Sequence, residues 1–202
     1  MIDHNLKIVF VEIPKTATQT ITKEFTDKRN PIGWSKAHML YRQHYSISQL
    51  LEYDYLSTKQ FDDYFKFSFI RNPFERAVSE YFYRCKIHKN YENEHPTFDH
   101  FIAQDLENTQ RQQSIHQHLL PNYDFIYMND VCKMNFVGRY ENLQNDYDTL
   151  CDMINKPKSK LKIKNSTYHN HYSEYYSEQT KKLLVSKYTN DIKHLNYKFD
   201  YE

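Results

Sequence analysis

Short, continuously apolar runs alternate along this chain with segments whose apolar residues recur at helical spacing. The runs Lys7 to Glu12 (KIVFVE) and Phe65 to Ile70 (FKFSFI) are rich in β-branched and aromatic residues, which predicts two buried strands. After the second run, Asn72 suits a helix cap and Pro73 a first helical position, and apolar residues then recur at helical spacing as far as Phe82. We therefore predict a strand followed by a helix.

The rest of the chain continues this alternation. We predict helices over 46–53, 97–104, 109–119 and 143–154, a final helix capped by Ser177 and reaching Ile192, and short strands over 125–128 and 135–137. Strands that alternate with helices are typical of an α/β fold with a central parallel sheet flanked by helices. Because no composition break divides the sequence, we expect one domain over residues 1–202.

Composition narrows the class of protein. The chain has 202 residues, of which 39% are apolar, so it can bury a core of its own. The charges of its 27 basic and 26 acidic residues nearly cancel, which argues against nucleic acid as a partner. Any site for an anion must therefore be a local cluster of basic residues rather than a broadly basic surface. Three cysteines without a CxxC pair are typical of free thiols in a reducing compartment, and no segment is apolar enough to span a bilayer. We expect a cytoplasmic protein with no integral membrane segment.

The loop after the first strand, Pro14 to Thr20 (PKTATQT), is a candidate anion site. The first N–H groups of a helix have no partner within the helix, and the helix dipole favours a negative charge there. Lys15 supplies a positive charge, and three threonines add hydroxyl donors. The loop contains no glycine, so it does not match the GxxxxGK[ST] pattern of a triphosphate-binding loop. An ordinary turn between a strand and a helix remains the alternative.

The second strand also ends at a basic segment, FIRNPFERAVSEYFY. Arg71 follows the strand, and Arg76 and Ser79 are expected three residues apart on the polar face of the next helix. A guanidinium presents a planar set of donors that suits phosphate, and a serine adds a hydroxyl. The alternative is structural, with Arg76 paired to Glu75 or Glu80.

These two segments together resemble the signatures of sulfotransferases that depend on 3′-phosphoadenosine 5′-phosphosulfate (PAPS), in particular the carbohydrate sulfotransferase branch. IPKTATQT is similar to the family's 5′-phosphosulfate loop, and FSFIRNPFERAVSEYF is similar to its 3′-phosphate element, RNPxxRxxSxY. FVGRYENLQNDYDTL and the C-terminal HYSEYYSEQTKKLLVSKYTNDIKHLNYKF are also similar to the family. The resemblance implies a nucleotide-binding fold like that of P-loop proteins, and it departs from many members in having Ala-Thr-Gln where they carry a glycine.

The resemblance also implies roles for individual residues. Arg71 and Ser79 are expected to bind the 3′-phosphate, and Arg139 and Tyr140 are further candidates for contacts to the donor. A segment from Lys164 to Tyr172 is a candidate for a loop over the nucleotide. The residues expected to bind the 5′-phosphosulfate are Lys15, Thr16, Ala17, Thr18, Gln19 and Thr20.

Sulfuryl transfer requires a group that stabilises the leaving phosphate oxygen and a base for the acceptor hydroxyl. Lys15 is our candidate for the first role, with PAP (3′-phosphoadenosine 5′-phosphate) as the product. His44, in QHYSISQLL, resembles the family's histidine at the corresponding place and is our candidate base, with His38 as the alternative. His118 begins a stretch, HLLPNYDFI, that resembles a family segment near the acceptor, so we expect it and His38 to contact the acceptor.

Other features leave alternatives open. The pairs His116/His118 and His169/His171 lack acidic or cysteine partners at suitable spacing, so we expect no metal. The basic stretch from Lys156 to Lys164 suits an acidic glycan or is simply a solvated loop. The branch resembled points to a carbohydrate acceptor. Rival functions are a nucleotide-dependent phosphotransferase and a non-catalytic module that binds a nucleotide or a glycan.

Overall fold

A computed structural model of the chain describes residues 1–26, 34–35, 40–107, 117–162 and 169–200. The candidate residues His38 and His116, and the Lys164 end of the predicted covering loop, lie outside the described residues. The described chain forms two compact units. The first comprises Met1–Arg71 and Asp124–Lys164, and the second comprises Asn72–Tyr123 and Asn165–Glu202.

The described secondary structure alternates between strands and helices as the sequence predicts, and most of the predicted helix 109–119 lies outside the described residues. The strands are β1 Ile2–Asp3, β2 Ile8–Val11, β3 Trp34–Ser35, β4 Leu40–Tyr41, β5 Phe65–Ile70, β6 Tyr127–Met128, β7 Val131–Cys132 and β8 Phe136–Arg139. The helices are α1 Thr18–Lys23, α2 Ile47–Glu52, α3 Thr58–Asp63, α4 Pro73–Ile87, α5 Tyr91–Glu94, α6 Phe98–Glu107, α7 Asn122–Ile126, α8 Leu143–Met153, α9 Glu178–Lys187 and α10 Thr189–Leu195. Short 3-10 turns occupy Arg42–His44, Tyr140–Asn142 and Tyr172–Tyr175.

The first unit is built on a sheet with strand order β1-β2-β5-β8. Strands β2, β5 and β8 are parallel, and the register aligns Phe10 with Phe67 and Phe67 with Phe136. The short β1 pairs antiparallel with β2, so the sheet is mixed rather than purely parallel. The carboxyl ends of the three parallel strands therefore meet at one edge of the sheet, where α/β proteins bind ligands.

Aromatic packing fixes this sheet against its helices. The rings of Phe10 and Phe67 stack with centroids 4.8 Å apart, and both are fully buried together with Tyr147 of α8. Gly138 in β8 lies so close to Phe69 that a Cβ at this position would come within 2.4 Å of the phenylalanine ring. The sheet is flanked by helices, as predicted for an α/β fold.

The second unit is helical, with a core of its own that contains α4, α6 and α9. Phe74, Ala77, Val78 and Tyr81 form the apolar face of α4 and are buried in this core. Asn72 caps α4, because its side-chain oxygen accepts a hydrogen bond from the amide of Phe74 at 3.0 Å. The predicted helix start is confirmed.

Two predicted elements are wrong in detail. Residues 125–128 were predicted as a strand, but Asn122–Ile126 is a helix and only Tyr127–Met128 is extended. The buried carboxylate of Asp191 explains the difference, because it accepts hydrogen bonds from the amides of Asn122 and Tyr123 at 2.9 and 2.7 Å and so caps α7. The predicted final helix is two helices, Glu178–Lys187 and Thr189–Leu195. The single domain over 1–202 stays a prediction.

Candidate active site

The loop between β2 and α1 has a conformation that suits an anion. Lys15 and Ala17 both adopt left-handed backbone angles, with φ of 67° and 64°, and Thr18 then begins the right-handed helix α1. A left-handed residue beside a right-handed one turns successive backbone N–H groups toward the same side, which creates a concave site for an anion. The loop thus takes up, without glycine, a backbone that glycine usually provides.

Thr16 shapes this loop from within. Its side chain is fully buried, and its hydroxyl donates a hydrogen bond to the carbonyl of Ile13 at 2.8 Å. The hydroxyl hydrogen is thus engaged by the backbone. The predicted role of Thr16 as a phosphate ligand stays a prediction, and the structure gives its hydroxyl a part in closing the turn.

Arg71 connects the loop to the ends of the other parallel strands. It follows β5, is 6% exposed, and donates a hydrogen bond from its Nη1 to the carbonyl of Lys15 at 3.0 Å. Its guanidinium carbon lies 3.9 Å from the centroid of the Tyr140 ring, directly after β8. The ends of β2, β5 and β8 therefore contribute Lys15, Arg71 and Tyr140 to one cluster.

Arg139 ends β8 beside this cluster. Its backbone N–H donates to the carboxylate of Asp146 at 2.6 Å, and the other oxygen of that carboxylate accepts from the side chain of Asn142 at 2.8 Å. These bonds fix the turn that carries Tyr140. The predicted contact of the Arg139 side chain to the donor stays a prediction.

His44 is held against the chain that leads into the same loop. Its Nδ1 lies 2.6 Å from the carbonyl oxygen of Glu12, three residues before Lys15, and its side chain is buried. A carbonyl can only accept, so Nδ1 carries a hydrogen, and in the neutral ring Nε2 is the acceptor. The Nε2 lies 3.2 Å from the side-chain nitrogen of Gln43. This tautomer is the one that a general base acting through Nε2 requires.

Local capping explains why His44 holds this position. It ends the turn Arg42–His44, and Ser46 then caps α2 by accepting from the amide of Gln49 at 3.2 Å. Between them, Tyr45 is buried against the rings of Tyr53 and Tyr55. The backbone that follows His44 is therefore anchored to the protein interior by Tyr45 and by the start of α2.

The second unit holds the predicted residues Ser79 and His118, both of them buried. Arg76, expected on the polar face of the helix, is 1% exposed, so this polar face is buried rather than solvated. Its guanidinium donates to the carbonyl of His118 at 2.9 Å and also to the carbonyl of Leu120. Buried carbonyls without a partner are costly, and Arg76 satisfies two of them. The pairing of Arg71 with Ser79 at a 3′-phosphate stays a prediction.

The whole chain is similar to one protein family. A family model described as the sulfotransferase family matches residues 1–202. The chain belongs to this family. No curated protein and no solved structure matches the chain. The resemblance predicted from the two loops is confirmed at the level of the family.

Family membership makes the chain a PAPS-dependent sulfotransferase, an enzyme that transfers a sulfuryl group to a hydroxyl-bearing acceptor. The residues of this sulfotransferase fit an anionic donor, because the left-handed loop at Lys15–Ala17 and the guanidinium of Arg71, which donates to the Lys15 carbonyl, lie at one edge of the sheet. These residues can hold the sulfated and phosphorylated groups of such a donor. Within the described residues, no cluster of three or more His, Cys, Asp or Glu is arranged to hold a metal, and no helix is long and apolar enough to cross a membrane.

Sequence reasoning missed two partners in this sulfotransferase. Glu12 supplies its backbone carbonyl to His44, and no side-chain pattern can reveal such a contact. Glu80 contacts His118. A sequence pattern pointed to Glu80, because Arg76, Glu80 and Arg84 recur every four residues and so line one face of α4.

Proposed function

We propose that this sulfotransferase moves the sulfuryl group of PAPS to a hydroxyl of a carbohydrate by in-line transfer. Lys15 stabilises the leaving phosphate oxygen and His44 is the base. The observation that carries the proposal is the joint anchoring of both residues: Arg71 binds the carbonyl of Lys15 at 3.0 Å, and His44 binds the carbonyl of Glu12 at 2.6 Å on the same stretch of chain.

The step balances with these residues. The acceptor hydroxyl gives its proton to Nε2 of His44 as its oxygen forms a bond to sulfur. The bond from sulfur to the bridging phosphate oxygen breaks, and its electron pair stays on that oxygen, so PAP leaves with an additional negative charge. The ammonium of Lys15 stabilises this charge where it develops, which is the electrostatic principle of phosphoryl transfer.

The residues of the loop divide the work of holding the donor. Backbone N–H groups at Ala17, Thr18 and Gln19, with the hydroxyls of Thr18 and Thr20, bind the 5′-phosphosulfate in this proposal. Arg71, Ser79 and Arg139 bind the 3′-phosphate and neighbouring groups. Support comes from the left-handed angles at Lys15 and Ala17, which expose the amides of a loop that lacks glycine.

A carbohydrate acceptor is supported by the branch that the two signatures resemble and by the basic segment after α8. Lys158 is paired with Asp152 at 2.7 Å on the surface, while Lys160 and Lys162 are exposed on the same segment. Exposed cations of this kind attract an acidic glycan.

We also propose a cytoplasmic location, supported by the free cysteines Cys85, Cys132 and Cys151.

The test is incubation with ³⁵S-labelled PAPS and a panel of methyl glycosides, acidic oligosaccharides and hydroxylated aromatic compounds. We expect label on a sugar, and at least about a 100-fold loss of turnover in Lys15→Ala, with Lys15→Arg as the control that retains charge. Near-normal turnover in Lys15→Ala contradicts the role of the lysine. Label only on aromatic hydroxyls contradicts the carbohydrate assignment.

Calorimetry separates the rival functions. A sulfotransferase binds PAP more tightly than ADP, because the 3′-phosphate is part of its donor. Preference for ATP with Mg²⁺ over PAP favours a phosphotransferase, and tight PAP binding without label transfer to any compound of the panel favours a non-catalytic module.

A further inference from the structure

The lysine strip, which is the segment from Lys156 to Lys162 after α8, runs back along that helix in the first unit. The amide of Lys156 donates a hydrogen bond to the carbonyl of Cys151 at 2.9 Å, in the last turn of α8. The amide of Leu161 donates to the side chain of Gln144 at 2.9 Å, in the first turn. Because α8 begins directly after the turn that follows β8, the strip leads to the carboxyl edge of the sheet, where the proposed donor site lies.

Gln144 holds the lysine strip by two of its peptide groups. Its Nε2 donates to the carbonyl of Ser159 at 3.0 Å and to the carboxylate of Asp148 at 2.9 Å. Its Oε1 accepts from the amide of Leu161, so both donors and the acceptor of the glutamine amide are engaged. The hydroxyl of Ser159 adds a hydrogen bond to the carboxylate of Glu24, directly after α1. The strip is thus fixed to two helices.

Side chains alternate in exposure along the lysine strip. Ser159 and Leu161 are half-buried, and Leu161 packs against the core under the sheet. Lys158, Lys160 and Lys162 are exposed. This alternation is typical of extended chain, in which every second side chain lies on the same side at intervals of about 7 Å. The fixed backbone therefore presents three lysines in a row to solvent.

The lysines of this row differ in their partners. Lys158 forms an ion pair with Asp152, with 2.7 Å between Nζ and Oδ2. Within the described part of the chain, no carboxylate lies at ion-pair distance from Lys160 or Lys162. These two cations are also the ones nearest the first turn of α8. They are therefore available to an anion that binds from outside the chain beside the donor edge.

We propose that Lys160 and Lys162 bind an acidic group of the acceptor, a carboxylate or sulfate on a sugar other than the one that is sulfated, and that Gln144 positions them. This inference rests on the proposed function and specifies its acceptor: an acidic glycan of more than one sugar. A row of cations on a backbone that is already fixed loses little freedom when the glycan binds, which favours affinity. Neutral glycans gain nothing from the row.

Binding of labelled oligosaccharides by fluorescence anisotropy, in the presence of PAP, tests the two lysines. The acidic probes are oligogalacturonates and chondroitin sulfate oligosaccharides, and maltooligosaccharides of equal length are the neutral reference. We expect the wild type to bind an acidic probe more tightly than the neutral one. In the double variant Lys160→Gln/Lys162→Gln, we expect the Kd for that probe to rise about 2- to 30-fold, the range for two exposed ion pairs, with the Kd for PAP unchanged.

The matched control is the double variant Lys7→Gln/Lys59→Gln, which removes the same charge from two exposed lysines that precede β2 and β5 in the same unit. We expect its Kd for the acidic probe to stay within about 2-fold of the wild type, since distant exposed charges are screened. Equal losses in the two double variants overturn the proposal. So does a wild type that prefers no acidic probe, or a Kd for PAP that rises with the Kd for the probe, which assigns the lysines to the donor.

Hydrogen exchange by NMR tests the role of Gln144 without turnover. We expect the amide of Leu161 to be protected in the wild type, to lose protection in Gln144→Ala and to keep it in Asn145→Ala, a neighbouring change on the same helix. The Kd for the acidic probe should rise about 2- to 5-fold in Gln144→Ala alone, because the row is then less ordered before binding. An unprotected Leu161 amide in the wild type removes Gln144 from this role, and that measurement needs no variant to fold.

Failure of the proposed function is distinguishable from failure of the lysine strip, because binding is measured without sulfuryl transfer. Acidic probes that bind through Lys160 and Lys162 but receive no label from PAP contradict the transfer and leave the strip intact. Label on neutral glycans, with no preference of the wild type for acidic probes, contradicts the strip and leaves the transfer intact.

Discussion

Arg71 and Tyr140 form a stacked pair at the edge of the sheet, with the guanidinium carbon 3.9 Å from the ring centroid. The two residues follow neighbouring parallel strands, β5 and β8, so the sheet itself brings them together. The ring packs on the guanidinium, and Nη1 of the same guanidinium donates a hydrogen bond to the carbonyl of Lys15. Tyr140 therefore orients a cation that the proposed function assigns to the donor.

Replacing the ring should loosen this cation. We expect Tyr140→Leu to weaken PAP binding about 2- to 30-fold, because a guanidinium on an aromatic face is stabilised by about 0.5 to 2 kcal/mol. Titration calorimetry with PAP measures the effect. Tyr140→Phe retains the ring and is the matched control, with an expected Kd close to that of the wild type. Equal Kd values for the leucine and phenylalanine variants would remove Tyr140 from this role.

Backbone strain in the donor loop leads to a prediction on stability. Ala17 has φ of 64°, a left-handed angle that disfavours any residue with a Cβ. We expect Ala17→Gly to raise the free energy of unfolding by about 0.5 to 1 kcal/mol, and urea denaturation measures this. Ala77→Gly, in the right-handed interior of α4, is the matched control and should lower it by about 1 kcal/mol or more. A loss of stability in Ala17→Gly comparable to that in Ala77→Gly contradicts the prediction.

The sequence predicts those parts of the fold and site that depend on local pattern. The strands at Phe65–Ile70 and Phe136–Arg139, the cap at Asn72 and the loop at Lys15 follow from apolar runs and helix signals. Contacts between segments that are distant in the sequence do not follow from such local patterns. The capping of α7 by Asp191, nearly 70 residues away, turned a predicted strand into a helix.

The same limit applies to buried polar residues. An amphipathic pattern separates the polar face of a helix from its apolar face, but it does not show whether the polar face, here with Arg76, meets solvent or the interior. The structure buries Arg76, because the carbonyls of His118 and Leu120 provide acceptors from a segment more than 40 residues away. Arg71 and Tyr140, in contrast, lie close together because each follows one of two neighbouring parallel strands, β5 and β8.

His44 should control the acidic limb of the pH–rate profile. A general base must be unprotonated, so the rate of the wild-type enzyme should fall as His44 gains a proton at acidic pH. We expect His44→Asn to lower kcat by about 100-fold or more and to remove this limb, since the amide nitrogen of asparagine takes the place of Nδ1 beside the Glu12 carbonyl but takes up no proton. Initial rates from pH 5 to 9 with the best panel compound provide the measurement.

A control substitution at Gln43, which contacts the His44 ring, tests whether the loss of rate in the His44 variant is only structural. Gln43→Ala removes the group that lies 3.2 Å from Nε2 of His44 and leaves the bond to Glu12 in place. We expect this variant to retain the acidic limb with a change in kcat of less than about 10-fold. An acidic limb that persists in His44→Asn removes the histidine from the mechanism.

Alkaline stability should depend on Tyr81, whose hydroxyl donates to the carbonyl of His95 at 3.0 Å. Burial, with a smaller effect of Cys85, raises the pKa of Tyr81 to about 12. In the unfolded chain a tyrosine titrates near pH 10, so between pH 10 and 12 the folded state binds a proton that the unfolded state has lost. Its contribution to stability is fully present below pH 10 and is lost as pH rises through 12.

We expect Tyr81→Phe to be less stable than the wild type by about 1 kcal/mol at pH 8, because the hydrogen bond to His95 is gone. The difference should shrink between pH 10 and 12, since only the wild type loses the contribution of Tyr81. Urea denaturation at a series of pH values measures both curves, and Tyr83→Phe, half-buried on the same helix, is the control. A difference between wild type and Tyr81→Phe that stays constant from pH 8 to 12 shows that the hydroxyl of Tyr81 does not link folding to proton binding.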